Sequence, residues 1–256
     1  MSDQKTPKIS VVIPAYNEVK KIRRCLTALQ KQSIRDPYEI IVVDNGSSDD
    51  TAPVARKFGV TVLEEKTRGV ACARQRGFQA ARGDIIASTD ADTIVPPDWL
   101  QTIQNAMADP KRVGVMGTFL FYDRGKIWNG LTKIITPAIR FIDWIVGHGQ
   151  NHFIGMNFAV RKEAFRKSAG FNTNLKYGED IDLAKKMKKY GRIAYIKKMR
   201  VLTHSRRYQL NLAFAKYVVN FIKTDITGKP FRNELPKIEG KKEEKIRKNE
   251  THSDAR

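Results

Sequence analysis

With 256 residues, 41% of them hydrophobic, the chain is long enough to bury a sizeable core, which excludes a disordered or fibrous sequence. Two cysteines, Cys25 and Cys72, have no metal-ligand spacing and sit among apolar or small residues, as expected of buried free thiols in a reducing compartment. A net charge of +20 calls for an anionic partner and leaves nucleic acid, an anionic membrane surface and a phosphorylated substrate open. Met1 to Lys8 is polar and the apolar run after it is short, so no secretory leader is expected and the chain is placed in the cytoplasm.

The first element is the β-branched run Ile9 to Ile13, ending at Pro14, with the continuous apolarity of a strand buried on both faces. Asn17 is placed to cap the next helix, whose Ile22, Leu26 and Leu29 share one face. A second strand, Glu39 to Val43, leads into the turn cluster Asp44-Asn45-Gly46-Ser47-Ser48-Asp49-Asp50-Thr51. There Ser48 is expected to cap a helix closing at Phe58-Gly59. A third strand spans Val60 to Leu63. The alanines and Gly77 between Gly69 and Arg82 predict a helix packed closely on the sheet, and Asp84 to Thr89 is strand four.

This β-α alternation predicts a Rossmann-like, mostly parallel sheet flanked by helices, whose ligands bind beyond the carboxyl ends of the strands. Asp90 and Asp92 stand there, one residue apart after Ile85-Ile86-Ala87, where an extended backbone turns both to one side and lets them share a hard cation. Paired carboxylates also serve as turn residues, so the pair alone does not decide. Asp44, Asn45 and the Pro14 to Glu18 segment reach the same rim, which favours the ligand reading. Neither a Gly-x-Gly-x-x-Gly fingerprint nor a Gly-Lys-Ser/Thr phosphate loop is present.

Five segments in this order resemble glycosyltransferase family 2, the nucleotide-sugar enzymes of GT-A fold. They are Val11 to Glu18, Val42 to Thr51, Ala73 to Gly77, Asp90 to Thr93 and Gly178-Glu179-Asp180. The resemblance covers about Ile9 to His204. It implies a nucleoside pocket lined by Pro14, Ala15, Tyr16 and Glu18, with Asp44 and Asn45 on base or ribose and Arg74 near the diphosphate. Asp90 and Asp92 would hold Mn²⁺ or Mg²⁺ against that diphosphate, and His204 would be a further metal ligand or contact the leaving phosphate. Where the family often has two aspartates, this chain has Asp44-Asn45, so a negative charge is lost while an acceptor oxygen remains. In the acceptor half, which includes the strand and helix around Gly155 to Phe165, Asp180 is implied as general base with Glu179 as its alternate; without the resemblance, both carboxylates could simply complement the helix dipole. Arg206 and Arg207 are candidates to neutralise the departing diphosphate, or are ordinary solvated charges.

The expected organisation is a catalytic domain over residues 1–227, with a nucleotide-binding half at 9–93 and an acceptor half at 94–227. A charged, unstructured tail is expected over 228–256. Trp128, Leu131, Ile135, Ala138, Ile142 and Ile145 form an apolar stripe, interrupted by Lys133, Pro137, Arg140 and Asp143. It predicts an amphipathic helix pair covering the acceptor site or, alternatively, an element lying in a membrane interface. A second stripe runs through Leu212, Phe214, Tyr217, Val218 and Phe221. From Lys185 to Arg207 ten basic residues occur without an acid, which suggests peripheral contact with an anionic inner membrane face. The expected partners are a nucleoside-diphosphate sugar and a glycan or lipid-linked acceptor, with no nucleic acid. The alternatives are a basic nucleic-acid-binding protein, for which no recognition motif is evident, and a nucleotidyltransferase, for which the loop after strand one is wrong.

Overall fold

The computed structural model describes residues 6–146, 152–207 and Lys223. Among them runs a seven-stranded sheet of β1 (Ile9–Ala15), β2 (Tyr38–Asp44), β3 (Thr61–Glu64), β4 (Ile85–Thr89), β5 (Arg112–Phe121), β6 (Asn157–Arg161) and β7 (Arg192–Thr203). Their spatial order is β3-β2-β1-β4-β6-β5-β7. Strands β1 to β4 are parallel; β6 runs against both β4 and β5, and β7 pairs parallel with β5. The expected mostly parallel sheet is therefore present, with β6 alone reversed.

The helices are α1 (Val19–Gln30), α2 (Thr51–Arg56), α3 (Val70–Ala80), α4 (Trp99–Ala106), α5 (Lys126–Val146), α6 (Lys162–Lys167) and α7 (Glu179–Met187). Both sheet faces are covered, which is why the strands read as unbroken apolar runs. Ile9, Val11 and Ile13 pack with Ile22, Leu26 and Leu29 of α1 on one side. Val12, between them in sequence, packs on the other side with Phe78, Phe158, Leu183 and Met187. The close approach expected of α3 is real, since a Cβ on Gly77 would stand 2.4 Å from Val12 Cγ1 and 2.9 Å from Val43 Cγ2.

The helix starts differ from the sequence reading. Asn17 does not cap α1, which begins at Val19; its backbone is left-handed, with φ of 53°, and its Oδ1 accepts the Ser48 N–H at 2.8 Å. Nor does Ser48 cap α2. Asp49 accepts the Thr51 N–H at 3.0 Å and the Val19 N–H at 3.2 Å, while Thr51 Oγ1 accepts the Glu18 N–H at 2.8 Å. Because β1 and β2 are parallel neighbours, the turns leaving them lie side by side and one cluster of side chains serves both helix starts, a long-range arrangement that local cap rules do not anticipate.

The amphipathic pair is instead one 21-residue helix, α5, continuous through Pro137. The side chains of Ile135, Ala138, Arg140, Ile142 and Asp143, the second stripe from Leu212 to Phe221 and the tail 228–256 lie outside the described residues. Cys25 and Cys72 are free and buried, as expected. No helix among the described residues is long and apolar enough to cross a membrane.

Candidate active site at the sheet rim

The parallel register brings the ends of β1, β2 and β4 to one rim. Ala15 lies opposite Asp44, and Ala15 O accepts the Asn45 N–H at 2.8 Å. Asp44 is buried; its Oδ2 accepts the Ser47 N–H at 3.3 Å, whereas Oδ1 has no hydrogen-bond partner among the described residues. A buried carboxylate oxygen left this way is costly, and a ligand O–H or N–H would relieve it.

Asn45 is largely used by the protein. Its Nδ2 donates to Glu65 O at 2.9 Å and Thr67 O at 2.8 Å, and its Oδ1 accepts the Gly69 N–H at 2.8 Å. It therefore holds the 65–69 loop in place and keeps one lone pair for anything else. That loop carries Arg68, whose guanidinium donates to Asn45 O at 2.7 Å and lies 3.3 Å from the centre of the half-exposed Tyr16 ring. The Tyr16–Arg68 stack borders the pocket attributed to Pro14, Ala15, Tyr16 and Glu18; of these, Ala15 and Glu18 are buried.

Two arginines organise the acidic groups. Arg74 on α3 is buried, and its Nη2 donates to Asp90 Oδ1 at 2.8 Å while its Nη1 pairs with Glu179. Asp180 completes the group: its Oδ2 accepts the Gly155 N–H at 2.8 Å and its Oδ1 the Ile181 N–H at 2.9 Å. Burial pushes both Glu179 and Asp180 up, against the pull of Arg74. A Cβ on Gly155 would come within 2.6 Å of Arg74 Nη2, so a side chain there would displace the guanidinium. Arg206 lies in the 3-10 turn Ser205–Arg207 after β7 and pairs with Glu18, with Asp92 Oδ2 at 3.3 Å.

Asp90 and Asp92 are hard oxygen donors suited to Mg²⁺ or Mn²⁺. Among the described residues no group of three or more His, Cys, Asp and Glu side chains is arranged to hold a metal. Two carboxylates fit a cation whose remaining positions are filled by diphosphate oxygens and water. His204 stands apart from this pair by its partners. Its Nδ1 accepts the Arg206 N–H at 3.1 Å and lies 3.4 Å from Asp123 Oδ2, and burial lowers its pKa although Asp123 opposes this. With Nδ1 as acceptor, the neutral ring carries its proton on Nε2 and presents a donor there.

Asp123 and Tyr122 were missed in the sequence. Asp123 accepts the Ser205 N–H at 2.9 Å and its hydroxyl at 2.8 Å, tying the end of β5 to the turn that carries Arg206. Tyr122 packs edge-on to His204, with the Arg24 guanidinium 4.5 Å from its ring centre. Burial and then Asp92 push the Tyr122 hydroxyl up to about 12. The signal available was the polar triplet Tyr122-Asp123-Arg124 closing an apolar strand, the same pattern that marked β4.

Solved structures share this architecture. The mannosyltransferase PcManGT from Pyrobaculum calidifontis, in complex with GDP-Man and Mn²⁺, superposes with a TM-score of 0.67 at 23% identity, over 92% of this chain and 69% of that one. Glucosyl-3-phosphoglycerate synthase from Mycobacterium tuberculosis, with Mn²⁺, UDP and glucosyl-3-phosphoglycerate, gives 0.61 at 22% identity, over 88% and 81%. The fold is GT-A. The model of glycosyl transferase family 2 matches residues 10–168, more than half of the chain, and the chain belongs to that family. Glycosyltransferase AglE of Haloferax volcanii is 37% identical over 102 residues, 37% of this chain and 34% of the relative. The probable glycosyltransferase YdaM of Bacillus subtilis is 30% identical over 196 residues, 69% and 46%. The chain thus spans a third to a half of the length of these two curated relatives.

Proposed function

We propose that the chain transfers a sugar, with inversion, from a nucleoside-diphosphate sugar to an acceptor hydroxyl. The observation that carries this reading is the Arg74 junction, where Asp90 after β4 and Glu179 at the start of α7, next to Asp180, meet on one buried guanidinium although 16 and 105 residues separate Arg74 from Asp90 and Glu179. Donor and acceptor chemistry are thereby brought side by side.

Cleaving the sugar–phosphate bond builds negative charge on the diphosphate, and the attacking hydroxyl must lose a proton. Asp90 and Asp92 would hold Mn²⁺ or Mg²⁺, which when bound supplies the charge to stabilise the leaving group. Asp44, through its unpartnered Oδ1, takes a hydrogen bond from base or ribose, with Asn45 positioning the loop that borders the pocket. Arg206 can exchange its Glu18 and Asp92 partners for phosphate, and the Nε2–H of His204 is a further donor. Asp180, held by two backbone N–H groups, takes the acceptor proton. Its raised pKa makes it a stronger base than an ordinary aspartate, and Glu179 keeps Arg74 in place beside it.

The acceptor we favour is lipid-linked or part of a cell-envelope glycan, met at an anionic inner membrane face. The basic run from Lys185 to Arg207 supports this, with Lys197 and Lys198 exposed on the edge strand β7. Calorimetry with UDP- and GDP-sugars tests the donor side. Affinity should be lost in EDTA and restored by Mn²⁺, and Asp92→Asn should weaken binding severely. Equal affinity with and without EDTA would overturn the metal-bridged reading.

A further inference from the structure

Helix α5 is amphipathic with its polarity inverted. Ile127, Leu131, Ile134, Phe141 and Ile145 recur at i, i+4, i+7, i+14 and i+18 and so lie along one face. All five are exposed, Ile127 to 81%, Ile134 to 73% and Phe141 to 62%. The opposite face, turned to the protein, is polar. Asn129 exchanges hydrogen bonds of 2.9 Å with the N–H and carbonyl of Phe121, and Thr136 is only 8% exposed. An apolar strip about 27 Å long, by the rise of an α-helix, is therefore presented outward.

Charge decides what covers it. Lys126 and Lys133 are exposed along one flank of the strip, and at its head the Arg124 guanidinium lies 5.3 Å from the Trp128 ring centre. A second copy of the chain would bring another net charge of +20 against the first, and one narrow strip offers less than the roughly 800 Å² per partner of a stable interface. An anionic bilayer meets both demands at once, since acyl chains take the apolar strip while headgroups meet the lysines. Phe141 and Trp144, stacked with centroids 6.1 Å apart, supply aromatic groups at the far end.

We infer that α5 lies in the interface of an anionic membrane, with Ile127, Leu131, Ile134, Phe141 and Ile145 among the acyl chains. The helix begins three residues after Asp123, which holds the turn carrying Arg206, so a membrane seated on α5 adjoins the rim. This deepens the proposed acceptor reading by naming the element that meets the lipid, but the contact stands or falls without any transfer activity.

The 256-residue chain is sedimented with vesicles of phosphatidylglycerol and phosphatidylcholine in equal parts, and with phosphatidylcholine alone. It should pellet with the anionic vesicles at low salt and release partly as salt rises. The double variant Ile134→Glu/Phe141→Glu should lose at least about tenfold in partitioning, since several buried methylenes are exchanged for charge. Both positions face outward, so its circular dichroism and metal-dependent donor binding should match the parent. In a Trp128→Phe background, brominated lipid should quench Trp144, the buried Trp99 being out of reach. No pelleting at low salt, parent-like partitioning of the double variant, absence of Trp144 quenching, as when the chain's own 208–227 segment covers the strip, or a dimer that the double variant dissociates would each overturn the inference. Loss of donor binding in the parent would instead fault the proposed function and leave the vesicle result standing.

Discussion

The sheet rim and helix α5 break opposite halves of one rule. At the rim, charged groups are taken out of water: Arg74, Glu18, Asp44 and Glu179 are each at most 7% exposed. Along α5, isoleucine, leucine and phenylalanine are left in it. Neither arrangement stabilises the isolated chain, because buried charge costs desolvation and exposed apolar area forgoes burial. The rim compensates internally, each arginine dividing its charge between two carboxylates. Helix α5 has no such compensation among the described residues, and the proposed membrane contact would supply it. Departures of both kinds collect where a protein meets its ligands, which is why the rim and α5 carry the two proposals.

The sharpest way to break the rim is Asp180→Asn. The amide oxygen can keep only one of the two backbone hydrogen bonds, which fall on different carboxylate oxygens, but neither bond involves the donor side, so donor affinity should be nearly unchanged while turnover falls by roughly a hundred- to ten-thousand-fold. Steady-state kinetics beside calorimetry separate the two, and parent-like turnover would move the base to Glu179. As the proposed base, Asp180 would work in the parent only when ionised. Its raised pKa therefore places the acid limb of the kcat–pH profile above the usual carboxylate range, with activity lost as pH falls through it.

Next in size is Arg74→Met, which leaves Asp90 and Glu179 without their shared cation. Removing one partner from a buried ion group typically costs about 3–5 kcal/mol. A urea midpoint shifted down accordingly is expected; an unchanged midpoint would mean that the carboxylates are neutral or hydrated in the folded protein. The smallest effect sharpens the contrast between α3, seated on the sheet, and α5, turned away from it. Gly77→Ala places a methyl group 2.4 Å from Val12 Cγ1 and should cost about 1–3 kcal/mol by overpacking, read from the same urea titration.

The sequence alone carried the donor half of the sheet and its rim residues. Ile9 to Ile13, Glu39 to Val43 and Asp84 to Thr89 are short-range patterns, and a strand buried on both faces needs nothing beyond its own apolar run to be recognised. That Asp90 and Asp92 follow β4 and that Glu179 and Asp180 open α7 was legible because these patterns are local. What only the tertiary structure decided lay in contacts between segments far apart in the chain. Asp49 and Thr51 serve the start of α1, Asn45 is spent on the loop ending at Gly69, and Arg74 holds Asp90 to Glu179. No local pattern records such pairings, since they follow from which strands lie side by side. The same holds for α5. Its sequence announced an amphipathic helix, but periodicity defines a stripe without saying which way it points; that direction was settled by Asn129 bonding to the backbone of Phe121, which turns the polar face inward and leaves the apolar one outside.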